Sequence, residues 1–264
     1  MKHLAVGALV IAALSFPGVD TPAWVVHAQS KPSLPEVLKK AMAYYSTLTS
    51  YSDTGTMLED GGGVGASARF TTYFRRASRD FYFDYQPLWS RSGTLKFDET
   101  THRTVIWMFK NQMEKFQHPP HAHEVINPAN GGQVQALNSA NYVTKGTSIM
   151  IASLLYSQAR LPSTLLQIEE AEVAGIEEID TRRYHKITGV AAAYYPSGQR
   201  TSVRPVTIWI DVETQLIRRV FEDTPTGYGS GVGVLRYTFT FEPQANPAID
   251  DIKFQFKVPP PARK

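Results

Sequence analysis

One amphipathic helix stands ahead of a long series of strands, and this order constrains the fold more than any other feature. From Ser33 to Leu48, apolar side chains recur at the i, i+3, i+4, i+7 spacing of a single helical stripe. Ser33 and Glu36 have the spacing of a capping box, so we expect the helix to begin there. From Tyr51 onward, most of the chain has the pattern of strands. One helix with one apolar stripe before many strands predicts a sheet that curves around the helix.

The strands alternate apolar and polar side chains and are joined by short turns. The clearest alternation covers residues 67–76, 79–86 and 204–212. Short connections imply antiparallel neighbours, because parallel strands need long crossovers. The sequence therefore predicts a mainly β (α+β) fold: a single, strongly curved antiparallel sheet, a half-barrel, with helices packed on its concave face. The other predicted strands are residues 51–59, 93–98, 104–110, 113–117, 171–180, 183–189, 216–222, 234–242 and 253–257.

The middle of the chain interrupts this pattern of strands. Residues 118–132 are rich in His, Pro, Asn and Gly and are predicted to be a loop. Residues 133–142 and 161–170 have helical patterns, and residues 146–160 are apolar on most sides. We therefore expect a helical insert near residues 133–170. Its excess of apolar residues is tolerable only if both sides are covered, so we expect the insert to lie over the sheet as a lid.

The first 28 residues have the layout of a secretory signal. A short basic start precedes an apolar run over residues 4–16, which is shorter than a membrane span. Residues 26–28 fit the small-residue rule for cleavage. We therefore expect a signal peptide over residues 1–28 and a domain over residues 29–264 that is periplasmic or secreted, with no stable membrane insertion. An uncleaved membrane anchor is the alternative interpretation of the same segment.

The composition and the motifs exclude several classes of function. The chain contains no cysteine, which excludes disulfides, thiol catalysis, cysteine metal sites and a lipid-modified N-terminal cysteine. Its formal net charge of +3 is too small a bias to indicate a nucleic-acid partner. No G-x-S-x-G nucleophile motif and no phosphate-binding loop occurs in the sequence. We therefore predict no catalytic residue, no enzymatic activity and no cofactor.

Three motifs give the chain a resemblance to a known family. They are YYSTLTSY at residues 44–51, the hairpin TIWIDVETQLIRR at residues 207–219, and the ending NPAIDDIKFQF at residues 246–256. Together with the order of signal, helix, strands, insert and further strands, they resemble the LolA/LolB-like superfamily of exported lipoprotein-carrier proteins. That superfamily includes outer-membrane lipoprotein-sorting-like members of unknown function.

The resemblance implies an incomplete β-barrel with helices plugging its mouth and acyl chains bound to its concave face. The implied partner is a lipid or an acylated lipoprotein, with an envelope protein as a further candidate and no nucleic acid. The carriers of that family hold the helical lid shut through an arginine on an early strand, and Arg69, Arg75 and Arg76 lie in the comparable region. The residues expected to line the cavity and the lid are Phe70, Phe74, Phe81, Phe83, Trp107, Phe109, Ile151, Leu154, Leu155, Trp209 and Phe239.

Two other functions stay open from the sequence. A filled interior would favour an interaction or regulatory module of the cell envelope, which binds a protein partner instead of a lipid. A metal-dependent enzyme is the other alternative, because histidine and glutamate at short spacing can bind Zn²⁺ or Ni²⁺. We expect no metal site there, since the proline pair within the segment fixes an extended backbone that directs the rings apart. The weak candidate ligands are His118, His121 and His123, followed by Glu124.

Overall fold

The computed structural model describes the chain from residue 34 to residue 260, apart from several gaps. The predicted signal segment 1–28 and the predicted strand 93–98 lie outside the described residues. The gaps comprise residues 61–65, 89–101, 119, 128–131, 157–160, 162, 195–199 and 227–232.

Twelve strands form one antiparallel sheet. Its order is β6-β5-β4-β3-β2-β1-β11-β10-β9-β8-β7, and β12 pairs with the beginning of β1. The two edge strands, β6 and β7, do not pair with each other in the described part of the chain, so the sheet is open. This confirms the predicted mainly β fold with a single antiparallel half-barrel sheet. The strands are β1 (Ser50–Asp60), β2 (Ala66–Arg75), β3 (Asp80–Leu88), β4 (Arg103–Phe109), β5 (Gln112–His118), β6 (Ala122–Ile126), β7 (Ile168–Ile179), β8 (Arg182–Tyr194), β9 (Arg200–Asp211), β10 (Ile217–Thr226), β11 (Gly233–Phe241) and β12 (Gln244–Ala245).

The α-helices of the described ranges pack against one face of this sheet, which we call the inner face. The first helix buries Leu38, Ala41 and Tyr45 in the main apolar cluster of that face. No helix in the described ranges is long and apolar enough to cross a membrane. The helices are α1 (Glu36–Thr47), α2 (Gly132–Asn141), α3 (Thr147–Met150) and α4 (Ala152–Leu155).

The register of the sheet arranges the inner face in rows of side chains. Met57 of β1 pairs with Phe239 of β11, and Phe239 pairs with Val220 of β10. Val220 in turn pairs with Ile208 of β9. Directly paired residues point to the same face. These four residues therefore form one apolar row across four strands, and each of them is buried.

Helix α1 begins later than the sequence predicts and is held at its far end by an arginine. It starts at Glu36, with Pro35 at the N-cap position and no side-chain cap, so the predicted capping box from Ser33 is wrong. The physical reason is that a proline disfavours the helical conformation in the residue before it. At the other end, Arg76 donates hydrogen bonds to the carbonyl oxygens of Leu48 (2.7 Å) and Tyr45 (3.0 Å), which satisfies carbonyls that the helix leaves unpaired.

Three predicted elements differ from those observed. The predicted loop 118–132 contains the edge strand β6. The predicted helix 161–170 is a single 3-10 turn (Thr164–Leu166), although Ser163 does cap it by accepting a hydrogen bond from the Leu165 amide. The predicted last strand 253–257 is a 3-10 turn followed by extended chain. Its apolar residues pack on the sheet through side chains and add no strand to it.

This C-terminal segment covers the outer face of β2–β5. Phe254 is fully buried in a second apolar cluster that includes Trp107 and Phe116. The Arg75 guanidinium lies 4.9 Å from the centre of the Phe254 ring and forms an ion pair of 2.7 Å with Asp251. The segment therefore shields from water the outer face of strands that are apolar on both sides.

Gly55 of β1 is required by the packing of the inner face. A Cβ atom at this position would overlap the ring of Phe70 and the carbonyl oxygen of Thr240. We expect Gly55→Ala to lower the free energy of unfolding by about 1–3 kcal/mol through overpacking. Thr56→Ala, at the next and exposed position, should cost less than about 1 kcal/mol. Urea unfolding of both variants tests this, and equal stabilities would contradict the packing that we describe.

Candidate functional site

The candidate site is the inner face together with the helical segment that covers it. Eight of the eleven predicted ligand-binding residues lie there, in one contiguous apolar cluster, and each is exposed by 3% or less. The structure therefore brings them together, while their role in binding stays a prediction. These residues are Phe70, Phe74, Phe81, Phe83, Ile151, Leu154, Leu155 and Phe239.

The other three predicted residues lie on the outer face. Trp107 and Phe109 belong to the cluster under the C-terminal segment. Trp209 is flanked by two cations, with the Lys186 ammonium 5.6 Å and the Arg219 guanidinium 5.7 Å from its ring centre. Side chains along a strand alternate between the two faces of the sheet. These three side chains therefore point to the outer face, while the residues before and after each of them in sequence point to the inner face.

The helical insert, which we define as residues 132–166, forms several hydrogen bonds between its own residues, although Asn141 Oδ1 and the Thr147 hydroxyl are buried without a hydrogen-bond partner among the described residues. The Ser148 hydroxyl donates to the Leu137 carbonyl (3.2 Å), and the Ser153 hydroxyl donates to the Met150 carbonyl (2.8 Å). The Thr144 hydroxyl donates to the Ala140 carbonyl (2.9 Å). Every residue of α3 and α4 is buried. The middle of the insert therefore contacts its surroundings through apolar side chains.

Few polar contacts tie the insert to the sheet. Within the described residues, no hydrogen bond joins positions 147–156 to a strand. The ties lie near the edges of the insert. The Lys115 ammonium donates to the Ser139 hydroxyl (3.1 Å), the Lys145 ammonium lies 3.5 Å from a carboxylate oxygen of Glu59, and the Arg204 guanidinium donates to the Thr164 hydroxyl (3.5 Å). Helices of four residues are not stable alone and depend on packing. The insert is thus held mainly by apolar contact with the inner face.

The pockets at the surface do not coincide with the predicted cavity. One pocket of about 860 Å³ is lined by Trp209, Arg219 and Thr240 of the outer face, among other residues. Another of about 370 Å³ is lined in part by Gly55 and Phe70. The apolar cavity predicted on the concave face is not shown, because the side chains there contact each other and the helices.

A buried carboxyl group lies at the end of the inner face where α1 meets the sheet. Asp53 is 2% exposed, and its Oδ1 accepts a hydrogen bond from the Glu242 amide (2.9 Å). Burial raises the pKa of Asp53 to about 8, against the opposing effects of that amide and of Arg218. Beside it, the Tyr45 hydroxyl accepts a hydrogen bond from the Ile217 amide (3.0 Å), and burial raises the pKa of Tyr45. This contact joins α1 to β10.

The histidine segment does not assemble a set of metal ligands. The His123 Nε2 lies 2.6 Å from a carboxylate oxygen of Glu114, and its ring stacks on Trp107. The ring centres of His118 and His121 are 6.0 Å apart. Among the residues that the structure describes, no group of three or more His, Cys, Asp or Glu side chains is arranged to hold a metal ion.

The three early-strand arginines have different surroundings. Arg76 holds the end of α1, as described above, and Arg75 pairs with Asp80 and with the C-terminal segment. Arg69 lines the pocket of about 370 Å³. Arg76 donates hydrogen bonds to the end of α1, and Arg75 donates to Asp80 and to the C-terminal segment. Within the described residues, neither arginine forms a hydrogen bond to the insert. A latch between an arginine and the insert therefore stays a prediction.

Three solved structures have a similar layout. LprF from Mycobacterium bovis is 13% identical, with a TM-score of 0.42, and the match covers 89% of this chain and 100% of that one. The lipoprotein LppX from Mycobacterium tuberculosis is 16% identical, with a TM-score of 0.42 and coverage of 83% and 99%. A Vibrio parahaemolyticus domain, provisionally described as an outer membrane lipoprotein-sorting protein, is 8% identical, with a TM-score of 0.35 and coverage of 83% and 94%. No protein-family model and no curated protein sequence matches the chain.

At these identities and TM-scores the similarity concerns the layout of the fold and carries no argument about a ligand or a partner. An N-terminal helix, an open antiparallel sheet and a helical insert lie in the expected order, with the four α-helices of the described residues on one face. This is the layout that the resemblance of the sequence to the LolA/LolB-like superfamily implies.

The buried Asp53 carboxyl predicts a specific dependence of stability on pH. Its pKa of about 8 in the folded chain lies above its ordinary value of 3.8. The stability that it contributes is therefore fully present below pH 4 and is lost as the pH rises to about 8. We expect Asp53→Asn to stabilise the protein at pH 9 more than at pH 5. Urea unfolding at both values measures this, with the exposed Asp60→Asn as control. A pH-independent difference between Asp53→Asn and the natural chain would contradict it.

Proposed function

We propose that the chain is an exported carrier or sensor of a hydrophobic ligand, and that it performs no catalysis. The ligand would be the acyl chains of a lipid or of an acylated lipoprotein. They would lie between the inner face and the helical insert, with the insert as lid. The proposal includes a signal peptide over residues 1–28, a domain over residues 29–264 and a place in the periplasm or outside the cell.

The observation that supports this proposal most is how the insert is held. In the described part of the chain, residues 147–156 form hydrogen bonds within the insert and contact the sheet through apolar side chains, so an acyl chain can replace that contact without breaking a hydrogen bond to a strand. The C-terminal segment, which covers the outer face, is held differently. Its Asp251 forms an ion pair with Arg75, and its Phe254 and Phe256 rings lie against the guanidinium groups of Arg75 and Arg103.

Burial of the insert side chains and burial of an acyl chain contribute similar free energies. Five large apolar side chains of α3, α4 and the residue between them are buried, and each contributes roughly 1.5–3 kcal/mol, or about 8–15 kcal/mol together. A chain of fifteen methylene groups gains about 12 kcal/mol on burial, at about 0.8 kcal/mol per group. An acyl chain can therefore compete with the insert for the inner face, and the displaced side chains can still cover the ligand.

A second candidate function is an interaction module of the cell envelope that binds a protein. The observation that favours it is the continuous packing of the inner face. The edge strand β7 also exposes Val173 and Ile176, each by about half. In this alternative the insert would stay in place, and the protein would take up no lipid.

Replacing Leu154 in the lid separates these functions. We expect Leu154→Asp to abolish uptake of a fluorescent fatty acid, because a carboxylate in the apolar contact is costly to bury against an acyl chain. Leu166→Asp is the matched control, since Leu166 belongs to the same insert but is 42% exposed. It should take up the probe like the natural chain.

Both variants must first give the circular dichroism spectrum and the cooperative urea unfolding of a folded sheet. Ile151→Asp is a second lid variant in case Leu154→Asp does not fold. Unchanged uptake in a folded lid variant would contradict the lid role. Absence of uptake by the natural chain would favour the protein-binding alternative.

A further inference from the structure

A row of polar side chains crosses the inner face at the end away from Asp53. Glu59 of β1 pairs with Tyr237 of β11, and Tyr237 pairs with Glu222 of β10. The row lies two residues along each strand from the apolar row that contains Met57 and therefore points to the same face. Arg204 of β9 contacts the end of this row. We call these four residues, Glu59, Tyr237, Glu222 and Arg204, the polar row.

The polar row contains buried hydrogen-bonding atoms without partners. Glu222 is 4% exposed, and its Oε1 has no hydrogen-bond partner among the residues that the structure describes. Its Oε2 lies 3.4 Å from a terminal guanidinium nitrogen of Arg204. The Nε of Arg204 and the hydroxyl of Thr224 are also buried and, in the same described ranges, unpartnered. Buried polar atoms are normally paired, so these atoms can take up hydrogen bonds from a ligand.

The unpartnered atoms include both donors and acceptors. The carboxylate oxygen Oε1 of Glu222 accepts hydrogen bonds, and the Nε of Arg204 donates one. A hydroxyl, such as that of Thr224, does both. A ligand that satisfies all of these atoms must therefore also donate and accept, as a group with several hydroxyls does.

The charges near the polar row are already balanced. The Lys145 ammonium lies 3.5 Å from Glu59, and Arg204 lies 3.4 Å from Glu222. A phosphate would therefore lie against two carboxyl groups, and an ammonium group would lie against two cations. Burial raises the pKa of Glu222, with Arg204 opposing this, so the site disfavours unpaired charge. A neutral ligand group suits it best.

We propose that the polar row binds the head group of the hydrophobic ligand, and that this head group is neutral and carries hydroxyl groups. The inference rests on the proposed function, because the acyl chains would lie on the adjacent apolar row, beside Met57 and Phe239. The inner face would thus bind both parts of an amphiphile, with the head at the Glu59 end and the chains extending toward α1.

Three probes with an 18-carbon chain that contains one cis double bond, and with different head groups, test this proposal. Mono-oleoylglycerol carries a neutral glycerol, oleyl phosphate an anion and oleylamine a cation. Their affinities for the purified protein are measured by displacement of a fluorescent fatty acid. We expect mono-oleoylglycerol to bind at least tenfold more tightly than either charged probe.

Two substitutions of Glu222 assign the preference to the polar row. Glu222→Leu should reduce the preference for mono-oleoylglycerol over the charged probes to less than about threefold. Glu222→Gln should retain this preference, because its amide still forms hydrogen bonds. The exposed Glu178→Gln serves as the control and should behave like the natural chain.

The outcomes separate this inference from the proposed function. Equal binding of the three probes, tighter binding of a charged probe, or a preference that survives in folded Glu222→Leu would overturn the head-group proposal and leave the carrier function in place. If none of the probes binds, and the fluorescent fatty acid does not bind either, the carrier function itself fails.

Discussion

The apolar inner face of the sheet must be kept from water, and the rest of the structure follows from how it is covered. Helix α1 covers one part permanently, because the Ile217 amide donates to the Tyr45 hydroxyl and Arg76 holds the helix end. The insert covers another part through apolar contact, with polar ties near its edges. One sheet therefore carries one cover that is held by hydrogen bonds and one that is held mainly by apolar contact.

The cover of the outer face is held differently from the insert. There the C-terminal segment places Phe254 among aromatic side chains and secures it with the ion pair between Arg75 and Asp251. A charged tie of this kind adds geometric specificity to an apolar contact. Where the chain needs a permanent cover, it combines apolar burial with polar contacts. Where the insert meets the inner face, residues 147–156 contribute burial alone, and this difference is what makes binding beneath the insert physically reasonable.

Alternation along the strands was sufficient to predict the antiparallel sheet and the inward direction of Phe70 and Phe239. Alternation could not assign Trp107 to a face, because β4 is apolar on both faces. The C-terminal segment, distant in sequence, covers the outer face of β4 and explains why that face is apolar. The inward cavity was predicted by counting too few helices to cover the sheet. The structure does not show this cavity, and such a count cannot decide the matter because side-chain packing is not visible in it. The polar row was missed, although Glu59 and Glu222 each stand two residues from an inward apolar residue, because the pairing of strands distant in sequence brings them together.

The central claim is that acyl chains bind between the inner face and the insert, and photo-crosslinking tests it most directly. A fatty acid with a diazirine within its chain would be bound, irradiated and located by peptide mass spectrometry. We predict crosslinks to the strands at Met57, Phe239 and Ile208 and to the insert at residues 149–155. Crosslinks confined to the outer-face pocket around Trp209 and Arg219 would contradict the account, because they would place the ligand on the opposite side of the sheet.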